Sequence, residues 1–366
     1  MLSLCLGFLV SFLMSLVIVR YAHMHAHFSA DWDLAGVQKN HSRPVPRIGG
    51  LAITIGFVAV ILSLYIRGPH WVAHQSMLLG VSALAAFAAG TIEDITKKVS
   101  PRERLIATMI SALMAAWLLD ARIVRIDVNS VDAILHIAII AVPLTMVAVA
   151  GLANAINIID GFNGFASMIS AMMFLSLAYV AFQVGDAFIV AVSFTMIGAI
   201  LGFFIWNFPG GHIFLGDGGA YFVGFMLAEL AIILVMRHPN VSAWYPVLMV
   251  IYPIFETLFS IYRRRILRGV PAGYPDGVHL HTLIYKRLLR WAIGSKEERQ
   301  RLRRNSMTAP YLWMLSLLAV APATLFWHNT AVLVPFILVF IITYVWLYSS
   351  IVRFKSPRWM IIDKKN

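Results

Sequence analysis

A chain of 366 residues that is 60% hydrophobic and only 13% charged cannot hide its apolar residues in a water-soluble core. Its net charge of +12 suits an anionic membrane surface and anionic small molecules, and no motif points to nucleic acid. The single cysteine, Cys5, excludes an intrachain disulfide.

Apolar runs near membrane-spanning length recur along the chain. Eleven are expected, at 2–19, 48–66, 77–91, 105–119, 134–150, 165–182, 188–206, 221–236, 244–261, 310–326 and 331–348. The first has no basic lead and is followed by Arg20, so it reads as a retained helix rather than a cleaved leader. No soluble stretch is long enough for a second core. Residues 1–366 are therefore expected to form one all-α, polytopic membrane bundle.

Of the 29 Lys and Arg, 25 fall in the odd-numbered loops and the C-terminal tail; Arg67, Arg122, Arg125 and Arg237 are the rest. That asymmetry predicts an external N-terminus and a cytoplasmic C-terminus. It also puts loops 20–47, 92–104, 151–164, 207–219 and 262–309 in the cytoplasm, and these carry nearly every unusual polar group.

The first such loop ends N-H-S-R-P-V-P-R-I-G-G over 40–50, with Arg43 and Arg47. The next holds Glu93 and Asp94, which point about 100° apart on a helix and so are expected to do different jobs. Residues 154–164 read N-A-I-N-I-I-D-G-F-N-G. The spacing of Asn154, Asn157 and Asp160 puts them on one face if the helix continues that far. Phe214 opens F-L-G-D-G-G-A-Y, where Asp217 among glycines suits a hard cation that also binds phosphate oxygens. The same four residues equally suit a capped tight turn. His279 and His281 stand in P-D-G-V-H-L-H-T-L-I-Y-K-R, able to donate to phosphate or to pair on a metal, though no cysteine lies near to make a zinc site. His23, His25 and His27 carry no assignment. The run Arg263–Arg265 with Arg268 reads as a topology anchor, and Glu229 and Glu256, inside spans, call for partners.

Taken together, these motifs resemble the polyprenyl-phosphate N-acetylhexosamine-1-phosphate transferases, membrane enzymes of the WecA/MraY type, over about residues 40–287. Asn154, Asn157, Asp160, Gly161 and Gly164 match the family's N-x-x-N-x-x-D-G-x-D-G pattern. Phe214, Gly216, Asp217 and Gly219 match F-M-G-D-x-G-S, and Pro46, Arg47, Gly49 and Gly50 match P-R-x-G-G. Eleven spans suit the WecA-like branch.

The resemblance implies transfer of a sugar 1-phosphate from a UDP-sugar to a polyprenyl (undecaprenyl) phosphate, releasing UMP. Such an enzyme would start O-antigen, exopolysaccharide or related envelope glycans, in the bacterial cytoplasmic (inner) membrane with its site facing the cytoplasm. It implies Mg²⁺, with Mn²⁺ as a substitute, held by Asp217. Glu93, Asp94 and Asp160 become the expected catalytic residues. Asn154, Asn157, Asn163, Asn207, Phe214, His279, His281, Arg43 and Arg47 become the expected substrate contacts. Membrane lipid is a further partner, and a homodimer stays open.

The chain departs from the pattern at Glu93, Asn163, Thr282 and Glu256, where Asp, Asp, His and Asp are usual. Loss of charge at Asn163 and loss of a ring at Thr282 argue against the peptidoglycan-precursor branch. A transporter or flippase for an anionic lipid-linked substrate is the alternative, disfavoured because its polar groups belong at mid-membrane. A CDP-alcohol phosphotransferase lacks its D-G-x-x-A-R signature here.

Overall fold

The computed structural model describes residues 1–31, 44–267, 269, 277–289 and 298–354. Its helices are α1 (Leu2–Arg20), α2 (Ala22–Ser29), α3 (Gly49–Arg67), α4 (His70–Ser82), α5 (Leu84–Thr96), α6 (Pro101–Leu118), α7 (Asn129–Leu135) and α8 (Ala138–Ile159). Then come α9 (Phe165–Val184), α10 (Ala187–Asn207), α11 (Gly216–Arg237), α12 (Trp244–Met249), α13 (Ile251–Tyr262), α14 (Leu280–Leu283), α15 (Glu298–Leu325) and α16 (Thr330–Val352). Among the described residues the only strands are Ala30–Asp31 and Val45–Pro46, an antiparallel pair with Ala30 opposite Pro46.

The protein is the all-helical polytopic bundle its composition demands. Helix stands at all eleven expected places, but not always as one rod. Among the described residues, eight helices are long and apolar enough to cross a membrane, and α4–α5 makes a ninth if taken as one span. That pair bends by 46°. Ser82 sits at the bend and donates its hydroxyl to Leu78 O at 2.8 Å, a bond that tilts the helix it belongs to. The expected ninth span breaks at Val250. Pro253 has no N–H to give Met249, and its ring crowds that carbonyl. The fourth, α6, is shorter and starts with Arg102, Glu103 and Arg104. Ser100 and Glu103 cap it reciprocally, and Pro101 sits where its missing N–H costs nothing.

The bundle is built around α11. Its length is almost wholly buried, packed by α3, α5, α8 and α9. Small residues allow this: Gly50 lies against the backbone of Gly219, and Gly224 against Ala153. The outer surface is apolar, with Trp117 and Ile139 each 82% exposed, as lipid-facing side chains are. Because α11 is central, its first residue to carry charge, Asp217, lies at the middle of one end of the bundle.

Candidate active site

At that end a cavity of about 390 Å³ opens. It is lined by Arg47, Glu93 and Arg104, by Asn157, Ile158 and Asp160 to Asn163, by Asn207, Phe214, Gly216 and Asp217, by His279, His281 and Thr282, and by Asn305. All five expected polar loops thus contribute to one space. The loops of the other set meet each other instead. Arg237 donates to Gln75 Oε1 at 2.6 Å, His238 Nε2 lies 3.1 Å from Asp186 Oδ2, and Ser242 Oγ lies 2.6 Å from Thr330 Oγ1.

Asp217 enters the cavity because Gly216, at φ +75°, turns the chain into α11 in a conformation a larger residue adopts only with strain. Its Oδ1 accepts from Asn157 Nδ2 at 2.9 Å and from Arg47 at 3.2 Å. Its Oδ2 is paired with Arg104, whose guanidinium also lies over the Tyr221 ring. Two guanidinium groups therefore flank one carboxylate.

Asp94 does something other than line the cavity. It is 1% exposed and accepts the backbone N–H of Asp217 at 2.9 Å and of Gly218 at 2.8 Å. It caps the start of α11 from another helix, satisfying donors that have no partner in the first turn. Glu93, on the neighbouring face, borders the cavity while its Oε2 accepts from Val99 N at 2.7 Å.

The helix carrying Asn154 and Asn157 stops at Ile159, and Asp160 leaves it with ψ 54°. Asn157 and Asp160 face the cavity. Asn154 lies a turn deeper and outside the cavity lining, where it accepts from Tyr221 Oη at 3.1 Å. The enclosing protein pushes the Asp160 carboxyl up to about 7, against the pull of Arg47. Asn207 borders the cavity but gives both ends of its amide to the backbone: Oδ1 accepts from Gly164 N at 2.6 Å and Nδ2 donates to Ile213 O at 2.8 Å. Asn163 likewise donates Nδ2 to Pro209 O at 3.1 Å.

His279 and His281 stack at 5.0 Å between ring centroids. Glu256 finds its partners here: Oε1 lies 2.9 Å from His279 Nδ1 and accepts from Leu280 N at 3.2 Å, and Oε2 accepts from Tyr344 Oη at 2.7 Å. His281 packs edge-on to Phe162 and Phe165. Among the described residues, Glu229 has no hydrogen-bond partner for either oxygen. Arg43 lies outside the described residues. Two cavity residues, Arg104 and Asn305, are absent from the motif reading. Both sit in basic helix starts, R-E-R and R-L-R-R-N-S, whose plain meaning is an interfacial anchor.

No group of three His, Cys, Asp or Glu able to hold a metal occurs among the described residues. Asp217 is one carboxylate in a cavity that also holds Arg47 and Arg104, with Asp160 lining the same space. Mg²⁺ is commonly held by one or two carboxylates together with substrate phosphates, so this donor set fits a cation that arrives with its substrate.

A multi-pass membrane protein whose helix ends bring cations, acids and amides into one cavity is the class defined so far. Residues 75–235 match the model of Glycosyl transferase family 4. Over that stretch the chain is similar to the family 4 glycosyl transferases. It is 27% identical over 285 residues to a Bacillus subtilis (strain 168) protein, the probable undecaprenyl-phosphate N-acetylglucosaminyl 1-phosphate transferase, covering 77% of each chain. Similarity to the Thermotoga maritima undecaprenyl-phosphate alpha-N-acetylglucosaminyl 1-phosphate transferase is 26% identity over 259 residues, covering 71% of this chain and 74% of that one. A phospho-N-acetylmuramoyl-pentapeptide-transferase of Streptococcus suis is 26% identical over 197 residues, covering 52% and 59% respectively.

Proposed function

We propose that the protein transfers N-acetylglucosamine 1-phosphate from a UDP-sugar to undecaprenyl phosphate, releasing UMP and starting a cell-envelope glycan. The observation that carries this reading is the convergence of five separated polar loops, with Arg47, Arg104, Asp160 and Asp217, on one cavity at the helix ends. Its relatives are named for the same class of transfer.

In this reaction an oxygen of the lipid phosphate attacks the phosphorus that carries the sugar. The bond from that phosphorus to the bridging oxygen breaks, and UMP leaves. A lipid phosphate is largely dianionic at neutral pH, since its second pKa is about 6. The protein therefore has mainly to position and neutralise. Arg47 and Arg104 bind the phosphates, and Asp160 takes a proton from any lipid phosphate that arrives singly charged. Asp217 would hold Mg²⁺, and the ion would supply Lewis-acid withdrawal of charge from the diphosphate. An apolar groove of about 380 Å³ between α8, α11 and α13, bordered by Leu152, Ala228 and Ile254, suits the isoprenoid chain. The excess of Lys and Arg on the cavity side supports a cytoplasmic site.

The test is UMP release by purified protein given UDP-GlcNAc, undecaprenyl phosphate and Mg²⁺, with other UDP-sugars beside it. Release that depends on the lipid phosphate is expected. No release with any UDP-sugar overturns the reading.

A further inference from the structure

Besides Glu93, Asp160 and the two histidines, the cavity lining holds two hydrogen-bonded groups. One is charged: Arg47 and Arg104, joined through Asp217, which also accepts from Asn157. The other is neutral and built of amides: Asn163, Asn207 and Asn305, with the Phe214 ring on the same lining. Charge suits a diphosphate. A neutral wall, whose amides fix the backbone of two loops beside an aromatic ring, suits an uncharged nucleobase.

The neutral group is held from outside the matched family stretch. Asn305 Oδ1, on α15, accepts the backbone N–H of Asn163 at 2.9 Å. The next residue, Ser306, donates its hydroxyl to Pro209 O at 2.6 Å. Asn163 Nδ2 donates to that same Pro209 oxygen, and Trp313 Nε1, further along α15, donates to Gly164 O at 3.1 Å. Asn163, Asn305 and Ser306 are all at most 6% exposed. These bonds explain why an amide stands at 163. The Pro209 carbonyl accepts a second bond there beside that of Ser306, and a carboxylate of the same size would set two acceptors face to face.

We propose that Asn305 is a positioning residue for the donor nucleotide, holding the 160–164 loop against the 208–211 turn so that the neutral end of the cavity keeps its shape for the base. This rests on the reading of the cavity as a UDP-sugar site. Asn305 acts through Asn163, so its loss lowers nucleotide affinity more than turnover.

Binding of UMP to the full-length protein in detergent, by titration calorimetry, tests it, alongside kcat and KM for UDP-GlcNAc and a thermal melt. Asn305→Ala is expected to weaken UMP binding and raise KM about tenfold, the scale of one well-made hydrogen bond, with kcat within about twofold. Asn305→Asp keeps the accepting oxygen and should recover part of the loss. Asn163→Asp, unchanged in size, should repeat the KM effect and decides the matter if Asn305→Ala does not fold. UMP binding equal to wild type in Asn305→Ala or in Asn163→Asp overturns the inference alone, as does a loss confined to kcat. A wild type that binds no UMP overturns the UDP-sugar reading, and the inference with it.

Discussion

The carboxylate of Asp94 accepts the backbone N–H of Asp217 at 2.9 Å, so one acid holds in place the segment on which the other is carried. Glu93 next to it touches the cavity, and Asp94 does not. The pair is therefore expected to separate in experiment. Asp94→Ala leaves two buried donors at the start of α11 unmet and should cost about 2–3 kcal/mol, read as a lower Tm, with activity lost alongside. Glu93→Gln should melt close to wild type and lose rate only. Equal Tm for both variants would show that Asp94 is not the cap described.

Arg104 pairs with Asp217 and lies over Tyr221, and its Nε is buried with no partner among the described residues. It also lines the cavity, where its guanidinium can meet a phosphate. Arg104→Gln should lower kcat/KM for the UDP-sugar about 100-fold, the scale of losing one fixed donor to a reacting phosphate. Arg104→Lys should restore part of this, since a point charge binds phosphate without the fork. Unaltered kcat/KM in Arg104→Gln would return this residue to the role of an interfacial anchor.

Asp160 lies beyond the last turn of α8, and its surroundings push it up to about 7. Its proton is therefore held in the folded protein at pH values where the unfolded chain has released it. Stability from this group is present at low pH and is lost as pH rises through about 7. Asp160→Asn cannot ionise, so it should melt above wild type at pH 8, with the gap narrowing as pH falls below 7. Activity should move the other way: wild-type kcat rises through about pH 7, and Asp160→Asn lacks that limb. A wild-type melting curve that climbs from pH 6 to 8 relative to the variant would contradict the assignment.

Sidedness follows from the two sets of loops. In a Cys5→Ser background, Lys98→Cys should react with an impermeant thiol reagent only after the membrane is opened. Asp120→Cys should react in intact cells. Both positions are exposed, so accessibility is decided by the side of the membrane alone. The reverse pattern would turn the molecule over and place the cavity outside.

The apolar runs and the polar islands between them were legible because membrane insertion writes itself into local composition. Asn157, Asp160 and Asp217 stood out as expensive residues at helix ends, His279 and His281 as a loop motif, and the structure brings all five to one cavity. Asn154 looked like their equal by spacing, but the helix stops at Ile159, and a residue one turn back faces Tyr221 instead. Asp94 looked like a chemical group because nothing near it in sequence announces the open helix start that it caps. Arg104 and Asn305 were hidden for a related reason. A basic or amide residue at a helix start is ordinary at a membrane surface, and only packing against Asp217 and Asn163 gives these two a further task. The breaks at Ala83 and Val250 fall within runs whose hydropathy is uniform. Pro253 signals the second, while the first has only a serine to mark it.

Gly50 and Gly219 touch backbone to backbone, and Gly90 meets the backbone of Gly218 in the same way. Helices joined without side chains between them have no soft layer to shear through, so α3, α5 and the start of α11 move as one plate or not at all. The opposite wall of the cavity is fastened by side-chain hydrogen bonds from α15 and by stacked rings, all of which have rotamers to change. Any breathing that would admit a bulky sugar nucleotide therefore belongs to that wall, and Asp217, carried on the start of α11, keeps its place as the door swings.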